Sequence, residues 1–404
     1  MQRLKNNYLV LVLNYKIMAD NKDTKEKSIP EGWNLVTLGQ IVGDKVDNRG
    51  RNPKKYFTTG IPVIDNFMIV GNRKINLSNT RRFIDELSFK NFIRNYLEPG
   101  DVLITLVGNG YGNLAIAPIE KSVIIQNTIG IRSNEKSINN FIFYNLSFKK
   151  KRITDLNRGA AQPSIKVGDL MNVEILLPTL PEQRTIVNVL SSFDDKIELL
   201  REQNKTLEET AQTIFKEWFG KLSVDKPEEL PEGWKVGKVT DIIERESISY
   251  KCTKKDVNES GKTPIFDQGV DGLYGYTERE PDFIASPDNP VVLFTNHTCN
   301  YWFVDYPFCA IQNVIPYRGK DGYDEYFVYF MTKESIQFIE YKGHWPDFEA
   351  KDFVIPPVEE SKKFSKIAKP ILEKISTNKV QIKSLEKTRD TLLPRLMKGD
   401  VSVK

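Results

Sequence analysis

The stretch from Leu176 to Phe219, LLPTLPEQRTIVNVLSSFDDKIELLREQNKTLEETAQTIFKEWF, decides how the chain is built. From Glu182 its apolar residues step alternately by four and three: Ile186, Leu190, Phe193, Ile197, Leu200, then Asn204, Leu207, Ala211, Ile214, Trp218. Such spacing over several turns is the seam of a coiled coil, where a single polar residue such as Asn204 commonly fixes register at some cost in stability. A related stretch runs from Val354, VIPPVEESKKFSKIAKPILEKISTNKVQIKSLEKTRDTLLPRLM. Setting Pro178 on Pro356 aligns Glu182 with Glu360, Lys196 and Ile197 with Lys374 and Ile375, and Leu207 and Glu208 with Leu385 and Glu386, at a constant offset of 178. The second seam reads Phe364, Ala368, Ile371, Ile375, Asn378, Ile382, Leu385, Arg389, Leu392, Leu396. Pro370 lies early in it and is expected to kink or delay that helix, because its ring carries no N–H and crowds the preceding turn.

Working outward, the tetrapeptide PEGW occurs at Pro30 to Trp33 and again at Pro231 to Trp234, 201 positions on, so the second copy is 23 residues shorter than the first. Between PEGW and helix, GDVLITLVGNGYGNLAIAP with SVIIQNTIGIR (Gly100 to Arg132) has a looser counterpart in NPVVLFTNHTCNYWFVDYPFCAIQNVIPYR (Asn289 to Arg318), Gln126-Asn127 matching Gln312-Asn313. Both are short β-branched and aromatic runs punctuated by Gly, Pro and Asn, the mark of strands and hairpins. DELSFKNFIRNYL and DEYFVYFMTKESIQFIEY beside them have helical spacing. The expected fold is therefore α+β: two mixed globules separated by two long helices that pair as an antiparallel coiled coil with pseudo-two-fold symmetry. The expected divisions are a disordered lead-in (1–29), first globule (30–180), first helix (181–225), second globule (226–357) and second helix (358–404).

With Asn204 opposite Asn378, facing residues have numbers summing to 582, so Ile197 meets Leu385, Leu200 meets Ile382 and Leu207 meets Ile375. Charge favours the pairing. Residues 182–219 hold eight acidic and five basic side chains, and residues 359–398 hold five acidic and eleven basic. A helix of that length spans roughly 57 Å at about 1.5 Å per residue, and antiparallel pairing is expected to hold the globules far apart.

Composition bounds the function only loosely. With 404 residues and 40% hydrophobic content, real cores are possible, and a net charge of +4 does not by itself announce a nucleic-acid binder. Cys252, Cys299 and Cys309 form no CxxC pair and fit reduced thiols in a cytoplasm. Two histidines, His297 and His344, make a His-rich metal site unexpected. YLVLVL near the N-terminus is too short for a signal-peptide core, no segment reaches the length of a membrane span, and Met18 is an alternative start to Met1.

There is no GxxxxGK[ST] loop and no NPPY tetrapeptide of amino-methyltransferases; Asn289-Pro290-Val291-Val292 is a superficial match. Gly108-Asn109-Gly110-Tyr111-Gly112 follows a strand but leads into LAIAP rather than a helix, so it reads as a hairpin turn. Pro346 to Lys351, PDFEAK, spells the nuclease pattern of two carboxylates and a lysine, leaving one alternative: a metal-dependent nuclease using Asp347, Glu349 and Lys351. A coiled-coil scaffold without DNA is the other.

Basic loops supply the candidate DNA contacts, since Lys and Arg neutralise phosphates while Asn, Gln, His and Arg can read base edges. In the first globule these are Arg49, Arg51, Lys54, Lys55, Arg81, Arg82, Asn109, Tyr111, Lys149, Lys150, Lys151, Arg152, Arg158 and Gln162. In the second they are Lys254, Lys255, Asn296, His297, Lys342 and His344.

From residue 30 to the end, the chain resembles the specificity subunit of type I restriction-modification systems. The resemblance rests on Pro178-Thr179-Leu180-Pro181-Glu182-Gln183 entering the helix, with Thr179 where a second proline is usual. GAAQPSI (Gly159 to Ile165), GW near the start of each globule and LPRLMKGDV at the end also match. The second entry, Pro356-Pro357-Val358-Glu359-Glu360-Ser361, keeps both prolines but lacks Gln. The resemblance implies a non-catalytic subunit without cofactor, reading a bipartite asymmetric target in double-stranded DNA. It further implies two modification subunits that bind S-adenosylmethionine and methylate adenine, and restriction subunits that use ATP and Mg.

Overall fold

Each PEGW makes the same tight turn. The Trp33 amide donates to the Pro30 carbonyl at 3.0 Å and Trp234 to Pro231 at 3.1 Å, with Gly32 and Gly233 at φ of +79° and +82°, a conformation only glycine adopts without strain. The computed structural model describes residues 29–158, 162–269 and 272–401. Residues 1–28 of the lead-in, with the alternative start at Met18, and the Gly159 to Ala161 portion of GAAQPSI lie outside them. The chain divides into two compact units: one runs through Ser192 and resumes at Arg389, and the other is Phe193–Thr388.

The fold is α+β, and each unit builds the same frame. In the first, Asn34–Thr37 pairs antiparallel with Glu174–Leu177, and a four-stranded antiparallel sheet has the order Val42–Val46, Thr128–Ser133, Val102–Thr105, Leu114–Ile116. In the second, Lys235–Lys238 pairs with Asp352–Ile355, and the sheet runs Ile243–Arg245, Val314–Gly319, Val291–Thr295, Tyr301–Val304. The central strands Val102–Thr105 and Val291–Thr295 are buried at every residue, as their near-continuous apolar runs require. Asn127 and Asn313, the second residues of the matched Gln-Asn pairs, both adopt φ near +60° to +70°, so the repeated dipeptide is a repeated turn. The second unit adds a three-stranded sheet, Leu273–Thr277, Thr263–Phe266 and Cys309–Ala310.

One helix is shorter than its spacing suggests. DEYFVYFMTKESIQFIEY is helical only over Glu325–Thr332. Glu334 takes φ of +63°, and the Lys333 ammonium turns to the Glu208 carboxylate at 2.5 Å, an ion pair that lowers the Glu208 pKa against the penalty of burial. Tertiary pairing overrides periodicity here.

The long helices are Leu180–Phe219 and Val358–Met397. The first opens with a Thr-x-x-Glu capping pattern: Thr179 Oγ1 donates to Glu182 Oε2 at 3.3 Å. The second begins at Val358, twelve residues ahead of Pro370, so the proline does not delay it; the missing N–H leaves only the Lys366 carbonyl without its helical partner. Within the second unit the helices run antiparallel: Asn378 Nδ2 donates to Asn204 Oδ1 at 2.8 Å and Gln203 Oε1 at 3.0 Å, Arg201 meets Glu386 at 2.7 Å, and Trp218 packs edge-on to Phe364. The seam is buried at Ile197, Leu200 and Ala211, but at its far end Phe219 is buried while Trp218 is 42% exposed, contrary to strict heptad spacing. A straight helix drifts about 20° per heptad from a 3.5-residue repeat. Phe215 and Phe219 here pack on Phe327 of the globule as well as Phe364.

Asn378 is fully buried and its Oδ1 has no hydrogen-bond partner among the described residues. Asn378→Leu is expected to raise stability by about 1 kcal/mol while loosening register, since an orphaned polar atom is removed together with the group that selects one pairing. Urea unfolding should show a higher midpoint and hydrogen exchange along the helices should be less uniform. A lower midpoint would exclude the assignment.

Candidate nucleic-acid interface

In the first unit the hairpin between Val102–Thr105 and Leu114–Ile116 is a loop, 106–113, whose Gly108, Gly110 and Gly112 all have φ between +78° and +85°. It is knitted to the segment after Arg158: Gly108 N–H donates to Pro163 O at 3.0 Å and Ile165 N–H to Leu106 O at 2.9 Å. A Cβ on Gly108 would lie 3.5 Å from Gln162 Nε2, and Lys150 Nζ donates to Asn113 Oδ1 at 2.8 Å. Asn109, Tyr111, Lys150 and Gln162 are thus gathered on one platform, with Asn109, Lys150 and Gln162 exposed.

The second unit repeats the plan with other side chains. The turn after Val291–Thr295 carries Asn296 and His297, and it is knitted to the segment leading into the short helix Trp345–Ala350. His344 N–H donates to Asn296 O at 2.8 Å, Trp345 N–H to Asn296 Oδ1 at 2.8 Å, and His297 Nδ1 lies 2.7 Å from Lys342 O. The His297 ring stacks on exposed Tyr341. Beside it opens a cleft of about 510 Å³ lined by Arg245, Lys251, Asn296, Gln312, Asn313 and Trp345. Lys251 belongs to the basic run Tyr250 to Lys255; Arg245 and Gln312 were missed from the sequence, although the repeated Gln-Asn pair was a signal for the second.

Other candidates divide by how firmly they are already held. Arg49 makes a two-pronged pair with Asp47 at 2.9 and 2.6 Å, holding that carboxyl below its usual range, and Arg82 pairs with Asp65 while lying over Tyr56. These half-buried forks fix loops. Arg152 with Glu174, Arg158 with Asp169 and Lys151 with Asp155 are more exposed pairs, worth about 0–1 kcal/mol, so exchanging partner for a phosphate costs little. Lys149 is half-buried over Phe148; burial, then Arg152, lower its pKa. Arg51, Lys54, Lys55, Lys254 and Lys255 are exposed, as is Arg81, which lies over Phe67. His344 requires correction: its ring is buried, with Nδ1 at 3.0 Å from Asp347 and Nε2 at 3.0 Å from Glu340 O, so both ring nitrogens are taken and it has no free edge for a base.

PDFEAK lies within and just past that one short helix. Asp347 is taken by His344 and Lys342, and the Lys351 ammonium by the Ser335 carbonyl, so the two do not converge with Glu349 on a metal.

Gln183 is fully buried. Its Oε1 accepts from Ser137 Oγ at 3.1 Å and Ile138 N–H at 3.2 Å, and its Nε2 donates to the Lys136 and Pro178 carbonyls at 3.0 Å each. Neighbouring Glu182 accepts from Trp33 Nε1 at 3.4 Å. The helix entry therefore braces its own globule. In the second copy buried Ser361 stands in place of Gln183, and its hydroxyl donates to Val358 O at 2.7 Å, within its own helix.

A duplicated α+β frame that presents basic, amide-bearing loops at equivalent places in both copies defines a two-copy DNA-recognition protein. The family model for the type I restriction modification DNA specificity domain matches residues 30–209 and again 231–387, and the chain belongs to that family. It is 27% identical to the type I restriction enzyme MjaIX specificity subunit of Methanocaldococcus jannaschii over 98% of this chain and 99% of that protein. It is 24% identical to the putative MjaX specificity subunit of the same organism over 98% of this chain and all of that protein. The crystal structure of a type I restriction-modification S subunit from M. genitalium shares the fold, with a TM-score of 0.57 at 17% identity, covering 93% of this chain and 98% of that one. The function is DNA target recognition in a type I restriction-modification system. No helix among the described residues is long and apolar enough to cross a membrane.

Proposed function

We propose that the chain is a non-catalytic subunit whose two globules, residues 30–180 and 226–357, each read one half of a bipartite, asymmetric target in double-stranded DNA. The observation that carries this is the shared two-loop platform: one backbone plan in both copies, dressed with Asn109, Tyr111 and Gln162 in one and Asn296, His297 and Lys342 in the other. Different side chains on equivalent loops suit different half-sites. The paired helices Leu180–Phe219 and Val358–Met397 act as the ruler, and two modification subunits and restriction subunits supply S-adenosylmethionine, ATP and Mg chemistry in the cytoplasm. The chain itself needs no cofactor for catalysis.

The test is co-expression with the modification subunits and sequencing of methylated adenines. Two half-sites at a constant gap are expected. One heptad added to each helix should lengthen the gap by about 3 base pairs, since seven residues rise roughly 10 Å and a base pair about 3.4 Å. An unchanged gap in a variant that still assembles would sink the ruler.

A further inference from the structure

Cys252, Asp282 and Cys309 come from three separate segments of the second globule, and their ligand atoms all lie within 4.8 Å of one another. The segments are tied by backbone bonds: Cys252 N–H to Ala310 O at 3.1 Å, and Phe283 and Phe308 exchanging bonds at 3.1 and 3.0 Å. Both thiols are buried, at 3% and 0% exposure. Asp282 Oδ2 is shut off from solvent without a hydrogen bond of ordinary geometry. Such an atom is costly to bury unless something satisfies it.

We propose that Cys252, Asp282 and Cys309 bind one thiophilic divalent cation of the zinc class, with water in the fourth position. Two thiolates and a carboxylate are a donor set zinc accepts, and in a tetrahedron with bonds of about 2.0–2.3 Å the donors stand roughly 3.5–3.8 Å apart. From a spacing of at most 4.8 Å the three groups need to close by up to about 1.3 Å. Binding displaces the two thiol protons to solvent, so the three anionic ligands and the dication leave one negative charge. Arg279 acts on Asp282 with the opposite sign. The ion would pin the strand Cys309–Ala310 to the segment that carries Lys254 and Lys255, steadying a basic loop of the second reader.

The full-length chain, purified with zinc present, is expected to hold about one zinc by elemental analysis. After removal with a chelator it should take up cobalt with a near-ultraviolet thiolate charge-transfer band. Cys309→Ser should abolish that band, Asp282→Asn should weaken metal affinity by about tenfold or more, and Cys299→Ser should change neither. Asp282→Asn, which removes no thiol, separates metal loss from misfolding. Absence of bound zinc and of the cobalt band in wild type overturns the proposal, as does an intact mass showing a Cys252 to Cys309 disulfide in freshly reduced and desalted protein.

Discussion

Arg132→Met is expected to destabilise the first unit by about 3–5 kcal/mol, because it strands a buried carboxylate. Asp101 is fully buried, and Arg132 grips it with Nε and Nη2 at 2.9 Å each while Nη1 reaches Glu98 at 2.8 Å. The side chain joins the central strand of the sheet to its neighbour, so its loss should open Val102–Thr105 as a block. The matched residue in the second copy, Arg318, pairs with half-exposed Glu246 and with the Asn289 and Pro290 carbonyls. These partners regain water when the arginine goes, so Arg318→Met should cost only about 1–2 kcal/mol. Hydrogen exchange of the two central strands measures both losses, and equal values would show that burial of Asp101 is not what sets the difference.

Gln183→Ala is expected to cost about 3 kcal/mol, lowering the melting temperature of the first unit. Four groups lose partners at once: the Ser137 hydroxyl, the Ile138 N–H and the Lys136 and Pro178 carbonyls. Unpaired buried groups cost about 1–3 kcal/mol each, and local relaxation recovers part of the sum. Gln183→Glu should be no better, since a carboxylate accepts from Ser137 and Ile138 but faces two carbonyls it cannot donate to. A variant with unchanged melting and impaired assembly would instead make Gln183 a docking residue.

The long helices were legible in the sequence because a heptad seam is local and repeated, and the Asn204 to Asn378 hydrogen bond lies where facing numbers sum to 582. The doubled frame was legible from PEGW and Gln-Asn, both of which are turns whose geometry demands particular residues. Gln183 was not. Its partners lie 45 to 47 positions upstream apart from Pro178, and no spacing rule reports a single amide bridging such distances. His344 looked like a base reader because it sits in a basic loop; only the packing of its ring against Glu340 and Asp347 shows that both of its nitrogens are taken. Cys252 and Cys309 are too far apart for any metal-ligand spacing, yet a parallel bridge beside Ile311 brings their segments together. The platform residues fall between: their chemistry was legible, whereas their convergence depends on loops closed by backbone bonds.

Gly399 lies against Pro30 so closely that a Cβ there would come within 2.4 Å of the proline ring, and Trp33 stands 3.5 Å off. The unit that starts with the first PEGW is thus closed by the last described turn of the chain, while the other unit is one unbroken stretch, Phe193–Thr388. During synthesis that unbroken stretch has all its residues before the ribosome has released Arg389 onward. The unit whose first residues emerge earliest is the last to be completed, and until then the Pro30 and Trp33 surface waits for its cover. A ribosome arrested on a linker fused after Lys404, with residues through Thr388 out of its tunnel and those from Arg389 still inside, should therefore carry a protease-resistant second unit and a cleavable first one, reversing the order in which their sequences are translated.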